Sequence, residues 1–324
     1  MKSWMMRAEA DSATLELQDV TVPEPGPGQV RIAVRAAGLN RGEFIVGHGL
    51  AKAGTVKPAG MEAAGTIDAI GAGVAGLKVG DRVMGRCAGA FSPVAIMDAR
   101  EAIAVPTSLS WEQAAAVPLA FLVVHDMLFA QGRLVAGEWV LVAGVTSGVG
   151  VAALQSAKAA GARVIGTSGS AEKLGRLKAE GLDVALRTRS PDFHDAVMQA
   201  TAGKGVDLVV NTLGGTVFAE CVRSMGFQAR FAMVGYVDGV LRAELDLQAL
   251  HARRLTFFGV SNKQRNADQR AAGLPAFVRD IVPALADGRI RPVVDRVFAF
   301  GELPEARAHM EANRHLGKIV VAIP

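Results

Sequence analysis

Val140-Leu-Val-Ala-Gly-Val-Thr-Ser-Gly-Val-Gly150 is an apolar strand that runs into a glycine loop and straight on into a helix. Strands buried on both faces of a parallel sheet read as unbroken apolar runs of this kind. The glycines allow a tight turn and a close approach of backbone, and the helix start offers unpaired N–H groups and a positive dipole end. Together these make a seat for a pyrophosphate. The same residues without a ligand would form only a compact strand–helix turn. The position inside a βαβ unit favours the dinucleotide reading. Ser147, Gly148, Val149 and Gly150 are therefore expected to hold cofactor phosphates.

Outward from the loop, apolar runs and helical stretches alternate. Strands are predicted at 139–143, 163–167, 184–186, 206–211, 230–234 and 255–260, with helices at 148–160, 171–180, 192–202 and 218–224. Alternation of this type predicts a doubly wound parallel sheet. The first 110 residues differ. Val30, Ile32, Val34 and Ala36 alternate as in a half-buried strand, after the turn cluster Pro23-Glu-Pro-Gly-Pro-Gly28. Short strands at 65–70 and 81–84, separated by glycines, suggest a small barrel or sandwich. A helix is expected over 111–131, interrupted at Pro118, and the last stretch adds a helix (275–286), a strand (293–298), a helix (303–311) and a strand (318–322). The expected fold class is α/β with three segments: 1–120, 121–260 as the nucleotide-binding domain, and 261–324 returning to the first.

Composition narrows the classes. The 324 residues are 50% hydrophobic and 20% charged, which excludes a disordered chain. The longest apolar run, 114–124, is shorter than the ~20 residues of a membrane span. Met1-Lys-Ser-Trp-Met-Met-Arg7 has no signal-type apolar core, and two cysteines fit a reducing compartment, so a cytoplasmic chain without a membrane partner is expected. The net charge is +4, but basic and acidic residues number 11 and 12 in 1–120, 14 and 12 in 121–260, and 10 and 7 in 261–324. So thin a spread gives no nucleic-acid footprint.

The residues after the second strand address cofactor choice. A site for NAD places an acid ~20 residues past the glycines, on the ribose hydroxyls. Here Ile165-Gly-Thr-Ser-Gly-Ser-Ala-Glu-Lys173 ends the strand without one, and Glu172 already belongs to the next helix. Thr167, Ser168, Lys173 and Arg187, with Arg189 nearby, form a set suited to a 2′-phosphate, hence NADPH. A solvated lysine in a helix's first turn is the plainer alternative. Short-chain dehydrogenases share the glycine spacing but need a Tyr-x-x-x-Lys pair; the single tyrosine, Tyr236, is followed four residues on by Val240.

Six stretches carry a family likeness: Ala36-Ala-Gly-Leu-Asn-Arg41, Gly60-Met-Glu-Ala-Ala-Gly65, Gly80-Asp-Arg-Val83, Ser147-Gly-Val-Gly150, Gly205-Val-Asp-Leu-Val-Val-Asn211 and Gly317-Lys-Ile-Val320. Over nearly its whole length the chain resembles the medium-chain dehydrogenase/reductase superfamily, most of all its zinc-free quinone oxidoreductase branch and secondarily the enoyl reductase domains of polyketide and fatty-acid synthases. The resemblance implies a GroES-like β-barrel domain joined to a Rossmann domain. It adds Asn40, Asn211, Leu213, Gly235, Tyr236 and Lys318 to the cofactor-binding set. Where zinc-dependent members carry a cysteine and a histidine, Asn40 and Met61 stand, so no metal is expected. The tyrosines of the quinone oxidoreductases align with Ile45 and Ala51, their nicotinamide-facing threonine with Val123, and a phosphate-pocket tyrosine with Thr188.

The expected activity is hydride transfer from NADPH to a quinone or to the activated C=C bond of an α,β-unsaturated carbonyl compound. Asn40 would act on the substrate carbonyl or the nicotinamide ribose, and His125, His48 or water would supply the proton. Gly89-Ala-Phe-Ser-Pro-Val-Ala95 resembles the enoyl reductase branch and keeps open a carrier-bound enoyl-thioester. A nucleotide- or nucleic-acid-binding protein with little turnover is the alternative of another class. The apolar stretch Arg254-Leu-Thr-Phe-Phe-Gly-Val260, at the expected end of the sheet, suggests a homodimer.

Overall fold

The computed structural model describes residues 1–10, 12–46 and 52–324. The chain forms two compact units, 120–262 and 1–119 with 263–324. The α/β fold class expected from the sequence is the one present: a parallel sheet in one unit and short, mostly antiparallel strands in the other.

In the unit 120–262, six parallel strands lie in the order Val184–Arg187, Arg163–Ser168, Trp139–Ala143, Val206–Asn211, Met225–Met233 and Thr256–Gly259. Numbered along the chain, this is 3-2-1-4-5-6. The order reverses at Trp139–Ala143, and doubly wound sheets bind ligands beyond the carboxyl ends of strands at such a reversal. Leu141, Ile165, Val209 and Phe231 fill the core. Each such side chain contributes ~1.5–3 kcal/mol by leaving water.

Two boundaries depart from expectation. The fifth strand begins at Met225 rather than at 230. Gly226 and Gln228, the latter at φ 59°, read as a turn, yet the chain there pairs through a register shift between Val206 and Leu208. The helix expected over 111–131 is three pieces: Trp111–Ala115, Pro118–His125 and a wider π-turn at Asp126–Ala130. Ser110 and Gln113 cap the first piece reciprocally.

In the other unit, Gln29–Gly38 is central. One edge pairs with Glu62–Ile70; the other pairs first with Val94–Asp98 and then, over Ala36–Gly38, with the return strand Lys318–Ala322. Arg82–Arg86 and Ile103–Ala104 extend the sheet on one side, and Val294–Ala299 on the other. A second sheet holds Ala13–Asp19, Lys2–Ala8 and Thr55–Pro58. The helix expected at 275–286 is broken into Leu274–Asp280 and Val282–Ala286, because Pro283 has no N–H to continue the ladder. The exit of Gln29–Gly38, the entry of Glu62–Ile70 and the entry of Lys318–Ala322 lie side by side. Among the described residues, no helix is long and apolar enough to cross a membrane.

Candidate active site

Those three strand ends deliver Asn40, Glu62 and Lys318 to one buried point. Glu62 is 0% exposed and Lys318 6%. The Lys318 ammonium donates to Glu62 Oε1 at 2.6 Å, Asn40 Oδ1 at 2.7 Å and the Leu39 carbonyl at 2.9 Å. The Asn40 amide donates to Glu62 Oε1 at 2.8 Å and Glu43 Oε1 at 3.0 Å, while Leu119 N–H donates to Glu62 Oε2 at 2.7 Å. Gly38 makes room for this: a Cβ there would stand 2.4 Å from Glu62 Oε1 and 2.6 Å from the Ala115 carbonyl. Burial pushes the Glu43 carboxyl up to about 7 against the opposing pull of its Asn40 bond, and the neighbouring charge of Glu62 adds to the rise. An ammonium has three protons and a primary amide two. As placed, Lys318 and Asn40 spend all of theirs within the chain, joining three strand ends.

The glycine loop occupies the carboxyl end of the other unit's first strand. Ser147 caps the helix Gly148–Ala159: its Oγ accepts from Gly150 N–H at 3.0 Å and donates to the Gly144 carbonyl at 3.0 Å. The N–H groups of Gly148 and Val149 take no partner among the described residues, as is usual for a helix start open to an anion. Gly144 has φ 84°, and a Cβ on Gly150 would lie 2.4 Å from the Gly144 carbonyl. Thr167, 2% exposed, braces the loop: its Oγ1 accepts from Gly144 N–H at 3.3 Å and its carbonyl from Val145 N–H at 3.1 Å.

The neighbouring loop is tied to this one. Thr212 Oγ1 donates to the Ala143 carbonyl at 2.8 Å. Asn211, 0% exposed, folds the chain after it: Oδ1 accepts from Leu213 and Gly214 N–H at 2.9 and 3.0 Å, and Nδ2 donates to the Gly214 carbonyl at 2.9 Å. The Leu213 side chain comes within 3.0 Å of where a Gly144 Cβ would sit. Gly235 lies close to the Thr212 carbonyl, and Tyr236 is exposed.

Beyond the second strand, Ser168 Oγ is 3.4 Å from Thr146 Oγ1 and accepts from Ser170 N–H at 3.3 Å. Lys173 is in the first turn of the helix Ala171–Ala179, which Ser170 caps. Arg187 is exposed and lies opposite Ser168 in the register, and the Arg189 side chain packs over Gly169. Three basic residues thus lie on the segments that border 168–173. His125 is 6% exposed, with its ring 5.6 Å from that of Phe129. His48 lies outside the described residues.

The sheet order therefore brings Ser147, Gly148, Val149, Gly150, Thr167, Ser168, Asn211 and Leu213 together at one sheet end, and Asn40 with Lys318 in the other unit. Glu43 was missed as a member of the second group. Its signal was the Asn40-x-x-Glu43 spacing, one helical turn.

A parallel sheet wound 3-2-1-4-5-6, with a capped glycine loop at its reversal, defines a fold of the dinucleotide-binding type. Residues 26–107 match the alcohol dehydrogenase GroES-like domain and residues 148–274 the zinc-binding dehydrogenase family. The chain belongs to the medium-chain dehydrogenase/reductase superfamily. It is 36% identical over 303 residues to the polyketide synthase GfsB of Streptomyces halstedii, and 34% over 322 residues to the pikromycin polyketide synthase component PikAII of Streptomyces venezuelae. These matches take in 92% and 98% of this chain but span only 5% and 8% of those relatives. Among solved structures, the CurK enoyl reductase is similar at 26% identity and TM-score 0.85, covering 100% of both chains. Mycobacterial Rv1454c complexed with NADPH is similar at 26% and 0.87, covering 99% and 100%. An NAD-dependent alcohol dehydrogenase is similar at 29% and 0.85, covering 100% of both.

The zinc implied by one family description does not fit this donor set. Asn40 offers an amide and Met61 a thioether; of the two carboxylates beside Asn40, Glu62 is held by the Lys318 ammonium at 2.6 Å and Glu43 accepts from the Asn40 amide at 3.0 Å. Zinc takes thiolate, imidazole and carboxylate ligands. Among the described residues, no three His, Cys, Asp or Glu side chains cluster to hold a metal.

Proposed function

We propose that the chain is an NADPH-dependent, zinc-independent reductase acting on the polarised C=C bond of an α,β-unsaturated carbonyl compound or on a quinone. The observation that carries the reading is the end of the second strand: small hydroxyls, Lys173, Arg187 and Arg189, with no carboxylate between Arg163 and Ala171. Cations without an acid suit a 2′-phosphate and leave no carboxylate to accept from a free 2′-hydroxyl. The relatives do not decide the cofactor, since both an NADPH complex and an NAD-dependent enzyme are similar structures.

Bound nicotinamide supplies the hydride; the chain supplies binding, orientation and charge. The Gly148 and Val149 N–H groups would take the pyrophosphate, with Thr167 and Asn211 holding the two loops that shape the seat. Half-buried Asn40, with buried Glu62 and Lys318, would fix the catalytic unit's strand ends. Hydride addition leaves an enolate, and with His125 buried against Phe129, water is the proton source we favour.

A second reading, an enoyl-thioester reductase, draws on the polyketide synthase relatives and the CurK enoyl reductase. The test of both is oxidation of NADPH, against NADH, with quinones, small enones and enoyl-thioesters. Turnover with NADPH on at least one class is expected, and the preferred class separates the two readings. No turnover with any would refute both and leave a nucleotide-binding role.

A further inference from the structure

In the unit formed by 1–119 and 263–324, a cavity of about 310 Å³ has Met61 and Ile96 on its apolar side and Glu43, Lys57, Arg86 and Arg270 among its charged residues. That volume is at the lower end of ligand pockets, roughly 300–1,000 Å³. Arg86 closes the strand Arg82–Arg86, opposite Glu62 in the register, so the cavity adjoins the network that joins the three strand ends.

The acids around the cavity are already engaged. Glu101 accepts from Arg270 at 3.0 Å, Asp98 from Arg100 at 2.7 Å, and Glu43 from Asn40 at 3.0 Å. Arg270 donates as well to the Arg265 carbonyl at 2.7 Å. Arg86 differs: among the described residues, nothing accepts a hydrogen bond from its guanidinium. Burial, and then the like charge of Arg270, pull it below the ordinary arginine range. Arg82, four residues earlier, is placed differently. That guanidinium lies 4.4 Å over the Trp111 ring and donates to the Leu109 carbonyl at 3.1 Å.

Glu101 and Glu43 attract the Arg86 guanidinium without bonding to it, and a partly buried guanidinium beside a second one, with no hydrogen-bonded acid of its own, is costly unless an anion completes the site. Its flat fork of donors matches the two oxygens of a carboxylate or phosphate. We propose that this cavity binds an oxyanion, carboxylate or phosphate, carried by the substrate, with Arg86 as the specificity-determining residue. The inference rests on the reading of the chain as a reductase of α,β-unsaturated carbonyl compounds. It narrows the substrate to one with a carboxylate on its own skeleton or a phosphate on its thioester arm.

The experiment compares matched pairs. β-Acetylacrylate and its methyl ester differ only in the carboxylate; crotonyl-phosphopantetheine and crotonyl-pantetheine differ only in the phosphate. For at least one pair, the wild-type kcat/KM is expected to favour the anionic member by about 10- to 100-fold, the worth of a charge-assisted bond. In Arg86→Leu that ratio should fall to near one, and Arg86→Lys should restore part of it. The pair that responds names the source of the anion. Ratios near one for both pairs in the wild type, or an unchanged ratio in Arg86→Leu, would overturn the proposal. Removing an unpaired, desolvated charge should leave Tm at or above the wild-type value, whereas a structural ion-pair residue would lower it. If no pair is reduced, the reductase reading fails, and calorimetric titration decides the site separately. Binding of β-acetylacrylate or crotonyl-phosphopantetheine that Arg86→Leu abolishes supports it, and no binding of either by the wild type overturns it.

Discussion

Replacing Lys318 with methionine should destabilise the unit formed by 1–119 and 263–324 more than any surface change. The methionine keeps the length of the stem and removes the ammonium. Three short hydrogen bonds are lost, to Glu62, Asn40 and the Leu39 carbonyl. Glu62, 0% exposed, would keep only the Asn40 amide and Leu119 N–H, and it would face Glu43 with no cation between them. Breaking a buried pair by removing one partner costs ~3–5 kcal/mol, because the other charge stays desolvated. For a unit of this size, each kcal/mol moves the midpoint by ~2–4 °C, so Tm should fall by roughly 6–20 °C. Differential scanning calorimetry at neutral pH measures this directly. Adding Glu62→Gln should recover part of the loss, since the stranded charge is then gone. A fall of less than about 1 kcal/mol, the range of an exposed ion pair, would refute the claim that this pair is buried and joins the strand ends.

Three further outcomes are expected. Glu43, with its carboxyl raised by burial to about 7 from an ordinary 4.5, contributes stability that is full below the unfolded value and lost as pH rises through about 7; between pH 5 and 8 the wild type should lose up to roughly 3 kcal/mol that Glu43→Gln does not lose, and parallel urea-unfolding profiles for the two would contradict this. Lys173→Ala should weaken NADPH by about 10- to 100-fold and leave NADH nearly unchanged, measured by fluorescence titration, whereas equal losses would mean that Lys173 does not read the phosphate. Thr256–Gly259 is an edge strand paired only with Met225–Met233 among the described strands, so we expect it to pair with its twin; light scattering should give a dimer at micromolar concentration, and Phe257→Lys a monomer, while a wild-type monomer would remove the idea.

The nucleotide unit was legible because its needs are local. A strand, a glycine loop and a capped helix are written in consecutive residues, and Ser147 and Gly150 meet in the structure as neighbours in sequence. Thr167, 20 residues past Ser147, was also legible as the small polar residue that ends the second strand, though its bracing of Gly144 was not. The start of the fifth strand was illegible because a bulged strand with a left-handed Gln228 looks like a turn in sequence. The network around Glu62 could not be read at all from spacing. Asn40 and Lys318 are 278 residues apart, and only the pairing of the return strand with Gln29–Gly38 brings them together. For the same reason nothing in the sequence separates Arg86 from Arg82. The difference lies in which carbonyls and rings the folded strand offers each.

Hydride transfer from NADPH to carbon leaves an isotopic record in the product. NADPH carrying deuterium at the transferable position of its nicotinamide would be supplied with a saturating enone or crotonyl-thioester, after exhaustive chelation, and the product analysed by mass spectrometry. One deuterium is expected at the β-carbon of the product for each NADPH consumed, and a second, solvent-derived one at the α-carbon in deuterated water. A product with no cofactor-derived deuterium, or activity that disappears with the metal, would contradict it.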